Sequence, residues 1–362
     1  RQHEATVSPD ARLVTWKHNL WQKRREFDAE TGLLVGEPKT PNGYYVAGAD
    51  KRWHAYANEK ELLIVPAVGE PIRVETPAFS WCWRTDPAGN RIAGAFDKQV
   101  VVWDARDGKR LFTLDHPAAL EISSHSASAG VAWSPDGLRI ATVASDKVVR
   151  LWNAADGKLF KTFDKFPTTP PGQDRLGAIA WDPDNRGLWL TLGNYVTRLD
   201  TTTGKATPPE DFSNGGNNTP NLALAADGDS LLVEEGYRWT FLRDRDGSRR
   251  LLGQHLSRQP TWHPDARRFL GATDYGGVRA FDTRRNHRLG TLWPAVSDGK
   301  TWHWICIGPD GHYRGSEGVE SQFVYVAMLD DGSQRTYTPA EFAKQFNWKN
   351  DPAKARLMKL DP

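Results

Sequence analysis

The strongest constraint on the fold is an internal repeat of about 40 residues. Residues typical of tight turns recur along the chain, and each is followed by a run in which polar and apolar residues alternate. Such alternation is typical of β-strands. Because the interval matches the length of one four-stranded blade, the repeat predicts an all-β propeller of antiparallel blades. The turn positions are Gly32, Gly69, Gly108, Gly157, Gly204, Gly247, Asn286 and Gly332.

The clearest repeat spans residues 131–163. Four short runs with strand-like patterns lie within it, and Asp-Gly or Asp-Lys turn signals separate them. In several repeats a Pro-Asp turn follows the first strand, as at Trp133-Ser-Pro-Asp136, and an aromatic residue followed by Asp or Asn closes the third strand, as at Trp103 and Trp152. We therefore expect several of the sixteen tryptophans to fill the space between neighbouring blades.

The residues around Trp152 resemble the WD40 family of β-propellers. Asp146 lies six residues before Trp152, which is the spacing of the family's turn aspartate and terminal tryptophan. The Gly-His dipeptide typical of the family is missing before most other repeats, so those blades would be held by packing and by ladder hydrogen bonds. The resemblance implies a structural, tetrad-like hydrogen-bond network of His125, Thr142, Asp146 and Trp152.

The repeat predicts eight blades, each beginning with its innermost strand, and the alternative is seven blades with an appended hairpin. Rings of this family are usually closed by a strand that one end of the chain supplies to the blade at the other end. Because few residues precede the first strand, we expect closure by side-chain packing or by a strand upstream of Arg1. The predicted propeller spans residues 1–337, with blades at 4–38, 43–77, 79–115, 129–164, 176–209, 219–254, 258–294 and 301–337.

The last predicted blade carries a signature of its own. Residues 302–316 are rich in tryptophan and include Pro-Asp-Gly-His-Tyr-Arg-Gly-Ser, and Glu320 follows them. This segment resembles the closing blade of large bacterial WD40 proteins, particularly those fused to caspase-like peptidase or protein kinase domains. Residues 338–362 are predicted to form a short helical cap packed on the propeller. Its first helix begins at the capping box Thr338-Pro-Ala-Glu341, and a second is expected from Asp351.

The sequence contains few of the patterns that catalysis or cofactor binding requires. Cys82 and Cys306 lack the spacing of a zinc or haem site, and Gly299-Lys300-Thr301 lacks the first glycine of a phosphate loop. A net charge of +2 gives no electrostatic reason to expect nucleic acid binding, and no apolar run is long enough for membrane insertion. We therefore expect no enzymatic activity, no catalytic or metal-binding residues and no cofactor. A propeller enzyme similar to quinone-dependent dehydrogenases is the enzymatic alternative.

The function is expected to lie in the loops. Three successive connections, residues 115–130, 164–176 and 209–219, are long and would emerge on one face, the top of the propeller. We predict a non-catalytic scaffold or recognition domain that binds another protein, or further domains of its own polypeptide, through this top-face wall. A purely structural domain of a larger polypeptide is the alternative. Two reduced cysteines favour the cytoplasm and leave a secreted or periplasmic location open. The predicted binding residues are Phe166, Arg175, Phe212 and Trp302.

Overall fold

The computed structural model of the chain forms two compact units, which are described one at a time. The first unit comprises residues 1–7, 12–39 and 268–362, and the second comprises residues 8–11 and 40–267. The structure describes residues 3–8, 11–18, 24–36, 44–47, 52–58, 60–78, 80, 82–120, 130–167, 169–170, 176–212, 221–235, 239–244, 246–254, 260–273, 276–297, 302–329 and 332–358.

The second unit contains five four-stranded antiparallel sheets, counted over the residues just given, and in each sheet the strands lie in chain order. Alternating runs form the strands, and tight turns join them. Its strands are β5 (Tyr44–Ala47), β6 (Trp53–Ala57), β7 (Glu61–Pro66), β8 (Ile72–Glu75), β9 (Cys82–Thr85), β10 (Arg91–Phe96), β11 (Gln99–Asp104), β12 (Arg110–Asp115), β13 (Val131–Trp133), β14 (Arg139–Val143), β15 (Val149–Asn153), β16 (Leu159–Phe163), β17 (Leu176–Trp181), β18 (Gly187–Leu192), β19 (Tyr195–Asp200), β20 (Glu210–Asp211), β21 (Asn221–Leu224), β22 (Ser230–Glu235), β23 (Trp239–Asp244), β24 (Arg249–Gln254) and β25 (Thr261–Trp262).

The first unit contains the two ends of the chain. Its elements are β1 (His3–Val7), β2 (Leu13–His18), β3 (Arg24–Asp28), β4 (Leu34–Gly36), β26 (Arg268–Ala272), β27 (Val278–Asp282), β28 (His287–Ser297), β29 (Trp302–Ile307), β30 (Tyr313–Gly315), a 3₁₀ turn (Val319–Gln322), β31 (Tyr325–Met328), β32 (Gln334–Tyr337) and α1 (Pro339–Phe346). Strands β1–β4 form one antiparallel sheet, β26–β30 form a second, and β31 pairs with β32 in a separate hairpin.

These sheets make seven propeller blades in the described part of the chain, so the prediction of eight blades is wrong and the seven-blade alternative is confirmed. The predicted eighth blade, residues 301–337, does not form. Instead β29 pairs with the long strand β28, with Leu292 opposite Cys306, and β30 pairs with β29. A short connection between antiparallel strands favours pairing with the strand just completed. Residues 302–315 therefore widen the last blade, and the hairpin β31–β32 is appended to it.

Tryptophans at the ends of third strands pack between neighbouring sheets of the second unit. Trp152 of β15 lies in an apolar cluster with Cys82 and Val100, which belong to the preceding sheet. Trp103 of β11 lies in another cluster with Ile64 of β7. Both indole rings are at least 90% buried, at 6% and 2% exposure. Flat rings therefore fill the spaces between blades, where they bury a large apolar area.

The C-terminal segment, residues 352–358, contacts both the first sheet and the β26–β30 sheet of the first unit. The amide of Met358 donates to the carbonyl oxygen of Glu30 at 3.1 Å. Arg268 donates to the carbonyl oxygen of Met358 at 2.6 Å and to the Glu30 carboxylate at 2.9 Å. Leu357 is fully buried. The first and last blades are thus joined by this segment and by side-chain packing, and no strand is shared between them among the described residues.

The signature of residues 309–316 serves the same junction. Arg314 donates to the carbonyl oxygen of Thr31, which lies in the turn between β3 and β4 of the first sheet. The hydroxyl of Ser316 accepts from the amide of Trp304 at 3.1 Å. Burial is the main cause of the raised pKa of Tyr313. These groups are engaged in structural contacts within the first unit.

The C-terminal cap contains one helix rather than two among the residues that the structure describes. Helix α1 begins at the predicted capping box, in which Thr338 accepts from the amide of Glu341 and the Glu341 carboxylate accepts from the amide of Thr338. After Asp351 the chain makes a single turn and then extends, because residues 355–358 reach the first sheet. No helix in the described ranges is long and apolar enough to cross a membrane.

Candidate functional site

The two aromatic residues predicted for the top-face wall, Phe166 and Phe212, pack against core clusters. Phe212 is only 3% exposed and packs with Trp189, Val196 and other residues of a core cluster, which corrects its assignment as an exposed binding residue. Phe166 is half-buried against the core between the β13–β16 and β17–β20 sheets. The reason is that a phenylalanine near a strand end gains more from apolar burial than from exposure on a polar loop. Arg175 lies outside the described residues.

Trp302 is the first residue of β29, where its backbone lies opposite Ser297. The structure describes no more of it than this backbone position. Of the four predicted binding residues, the described part of the structure places the side chains of Phe166 and Phe212 alone, and both pack against core clusters.

The tetrad-like network centres on the hydroxyl of Thr142. This oxygen accepts from the indole nitrogen of Trp152 at 2.7 Å and donates to Nε2 of His116, 2.8 Å away. Nδ1 of His116 donates to the carbonyl oxygen of Leu114 at 3.1 Å, which sets the tautomer. His116 therefore occupies the position that the sequence assigned to His125, and His125 itself lies outside the described residues.

The predicted turn aspartate, Asp146, pairs with Arg150 and accepts from the amide of Val148. The side-chain hydrogen bond from Arg150 is the main cause of the lowered pKa of Asp146. Burial, followed by the charge of Arg150, lowers the pKa of His116 to about 4. His116 is thus neutral at physiological pH, and the network is a buried structural feature rather than a substrate site.

A cleft of about 700 Å³ lies between the β17–β20 and β21–β24 sheets of the second unit, and we call it the interblade cleft. Its buried wall includes the apolar side chains of Trp189 and Leu231. Asp184 and Asp227 lie at its exposed edge, in the turns that join the first and second strands of the two sheets. Because these turns follow the first strands, the cleft lies at the opposite end of the blades from the predicted wall.

The interblade cleft exists because the outermost strand, β20, is very short. It pairs with β19 at Tyr195 and Val196, and a single bridge joins Ala206 to Leu199, whereas β16 follows β15 from Val149 to Trp152. Pro208 and Pro209 immediately precede β20. Proline has no amide hydrogen to donate, so two prolines interrupt the ladder at this point. Pro208 itself lines the cleft.

One ion pair on the cleft wall joins Asp182 to Arg198. Oδ1 of Asp182 accepts from the indole nitrogen of Trp189 at 2.8 Å, and Oδ2 accepts from Nε of Arg198 at 2.5 Å. Asp182 is mostly buried, and Arg198 is about one-third exposed, at 31%. Gly187 lies beside this pair, and a Cβ there would overlap both partners. The absence of a side chain at this position therefore allows the pair to form.

A second ion pair links the two sheets. Arg243 of β23 donates to both carboxylate oxygens of Glu210, on β20, at 2.8 and 2.7 Å. Its guanidinium lies 4.8 Å from the centroid of the Trp189 ring. A bidentate pair combined with a cation–π contact holds this arginine in one orientation. Glu210 and Trp189 therefore hold the Arg243 side chain in the wall of the cleft.

The interblade cleft has an excess of negative charge. Two of its carboxylates, Asp182 and Glu210, are paired with the two arginines of the wall. The side chain of Asp184 is 54% exposed, 3.9 Å from Arg198, and Asp227 is exposed. The charged residues that line the cleft are Asp182, Asp184, Glu210, Asp227, Asp229, Arg198 and Arg243. Five carboxylates against two guanidiniums give a formal charge of −3, which is suited to a cationic ligand.

The sequence pattern predicts these turns only as connections after the first strand of a blade, and it predicts no binding site there. Two signals were nevertheless available: the Pro208-Pro209 pair, and the acidic residues in equivalent turns of consecutive repeats, Asp182-Pro-Asp184 and Asp227-Gly-Asp229. Only the packing of two sheets brings these signals together. Among the described residues, no group of three or more His, Cys, Asp or Glu side chains is arranged to hold a metal ion.

The fold and these sites define the class of protein: an all-β propeller with seven blades. The family model "WD domain, G-beta repeat" (WD40) matches residues 118–153, which include Thr142, Asp146 and Trp152. The chain is a WD40 β-propeller, a fold typical of protein-interaction domains.

A solved structure, Kuenenia stuttgartiensis hydrazine synthase, is similar to this chain in fold. The match has a TM-score of 0.59 and 15% sequence identity, and it covers 77% of this chain and 95% of the other. At that identity the likeness concerns the propeller fold alone.

Proposed function

We propose that this chain is a non-catalytic protein-binding module and that a partner protein docks at the interblade cleft. The observation that carries the proposal is the combination of exposed carboxylates, Asp184 and Asp227, with the apolar wall formed by Trp189 and Leu231. Protein-binding sites commonly combine a polar rim with a buried apolar centre. The volume of about 700 Å³ is within the range of binding clefts.

The absence of catalysis is part of the proposal, and the state of the potential catalytic groups supports it. Burial raises the pKa of the Cys306 thiol to about 12, so this residue stays protonated and is a poor nucleophile. Both ring nitrogens of His116 are engaged by Leu114 and Thr142. A cytoplasmic location belongs to the same proposal, since Cys82 and Cys306 are both unpaired and buried.

Site-specific photo-crosslinking tests the docking site. A benzophenone amino acid would be placed at Asp227 on the cleft edge, and at Asp156 in an exposed turn of the β13–β16 sheet as a matched control. A third probe at the exposed Lys165 examines the predicted top-face wall. We expect a specific cross-linked protein from the source lysate with the probe at Asp227 and none with the probe at Asp156.

Each of the other outcomes contradicts a defined part of the proposal. A product from the Lys165 probe alone would retain protein binding but move it to the connecting loops. Equal products from Asp227 and Asp156 would indicate non-specific contact and reject the cleft. Cross-linking at none of the three positions would reject the docking site altogether.

A further inference from the structure

We infer that the interblade cleft binds a basic peptide segment of the partner, with an arginine or lysine side chain inserted between the two sheets. This inference rests on the proposed function and goes further by assigning the chemistry of the ligand. The charge of the cleft supports it, because its lining residues carry a formal charge of −3. An anionic or neutral apolar segment would leave the exposed carboxylates without compensation.

The two arginines of the wall are each held by a carboxylate of the wall, and Arg198 also lies 3.9 Å from Asp184. Arg198 is bound to Asp182, whose other oxygen is held by the indole of Trp189. Arg243 is bound through two nitrogens to Glu210, with Nε 2.7 Å from Oε2 and Nη2 2.5 Å from Oε1. Turning either side chain toward the cleft edge would leave a partly buried carboxylate unpaired, which is costly. Both arginines of the wall are therefore held by these pairs, and the basic side chain of a docked peptide would add the positive charge that the formal charge of −3 favours.

The arrangement of apolar and acidic groups matches a long basic side chain. Such a side chain has an apolar stem and a charged head. The stem can lie along the partly exposed Leu224 and the edge of Trp189, while the head reaches the carboxylates of Asp184 and Asp227. Carboxylates bind guanidinium groups through charge-assisted hydrogen bonds, and arginine is enriched among residues that dominate binding energy.

A labelled hexa-arginine peptide is the probe, and fluorescence anisotropy with the full chain is the measurement. The same peptide with citrulline in place of arginine provides a neutral control of nearly identical shape. We expect saturable binding of hexa-arginine that weakens with added salt, because exposed charges are screened, and no binding of the citrulline peptide.

Two double variants locate the binding. Asp184→Asn/Asp227→Asn removes two carboxylates at the cleft. Asp107→Asn/Asp156→Asn removes two carboxylates in turns of other sheets. All four aspartates accept a hydrogen bond from the amide two residues further on, a role that asparagine retains, so the variants are matched in charge and in local structure. We expect about tenfold weaker binding in the cleft variant and less than about twofold in the control.

Equal weakening in both variants, binding of the citrulline peptide, or no binding of hexa-arginine would overturn the inference. These results are distinguishable from a failure of the proposed function. A cross-link at Asp227 without peptide binding would leave the docking site in place and reject only the basic ligand. Absence of both the cross-link and peptide binding would reject the two together.

Discussion

A single hydroxyl group organises the most WD40-like blade. Thr142 is fully buried, and it bridges the indole of Trp152 and the imidazole of His116. Without that hydroxyl, Nε1 of Trp152 and Nε2 of His116 would lack a partner in their apolar surroundings. Because an unpaired buried polar group costs much more than an exposed one, the network stabilises one arrangement of the β9–β12 and β13–β16 sheets.

Thr142→Val is expected to lower the free energy of unfolding by about 1–3 kcal/mol. Valine has nearly the same shape, so the loss reflects the two unpaired groups, Trp152 Nε1 and His116 Nε2. Denaturant unfolding followed by tryptophan fluorescence measures it. Thr162→Val, at an exposed position of β16, is the control and should change stability by less than about 0.5 kcal/mol. An effect at Thr142 no larger than at Thr162 would contradict the assigned role.

The same network predicts a dependence on pH. The pKa of His116 is about 4 in the folded chain, against about 6.5 for an unperturbed histidine. The unfolded chain therefore takes up a proton at higher pH than the folded chain. Stability from neutral His116 is fully present above about pH 6.5 and is lost as the pH falls toward about 4, by at most about 3 kcal/mol.

The measurement is the free energy of unfolding between pH 7.5 and about pH 4 for the unmodified chain and for His116→Gln. Glutamine does not titrate, so the variant should lose less stability over this range, and the difference between the two proteins should narrow as the pH falls. Parallel curves would show that His116 is not the responsible group.

At the scale of elements, strands β18 and β20 depart from the repeated blade pattern where the interblade cleft lies. Two prolines immediately precede the short strand β20, and Gly187 begins β18 at the point where Asp182 and Arg198 meet. The repeated pattern predicts that a blade is present here. The departures from that pattern create the interblade cleft, because they remove a ladder segment and a side chain where two sheets meet.

Gly187→Ala is expected to destabilise the chain by about 1–3 kcal/mol, because the new methyl group must displace the Asp182–Arg198 pair. The control is Gly36→Ala on β4, where no atom lies within 4 Å of the added carbon. Thermal unfolding of both variants measures the difference. A loss at position 187 as small as that at position 36 would mean that the pair adjusts without cost, and would contradict the proposed close approach.

At the scale of the whole molecule, the number of blades and the joining of the chain ends depend on segments that are far apart in sequence. The C-terminal segment contacts the first sheet through Glu30 and the last sheet near Gly290, where the carbonyl oxygens of Arg356 and Leu357 leave no room for a side chain. Leu357 is fully buried at this junction.

Leu357→Ala is expected to cost about 2–5 kcal/mol, as for other large-to-small substitutions in a core. Leu138→Ala, at a position that is 66% exposed, is the control and should be nearly neutral. Calorimetry gives the stability, and limited proteolysis shows whether residues of the first sheet become cleavable. Protection equal to that of the control would mean that this segment does not hold the chain ends together.

The local pattern determined most of the strands of this protein and the capping box of α1, because alternation and turn chemistry act over a few residues. The burial of Trp103 and Trp152 followed from their repeated positions. Only the tertiary structure decided that β29 joins the last blade, that His116 bonds to Thr142, and that Phe212 is buried. It also decided that Asp184 and Asp227 face one cleft. The physical reason is that these outcomes depend on pairing and packing between distant segments, where competing arrangements share the same local preferences.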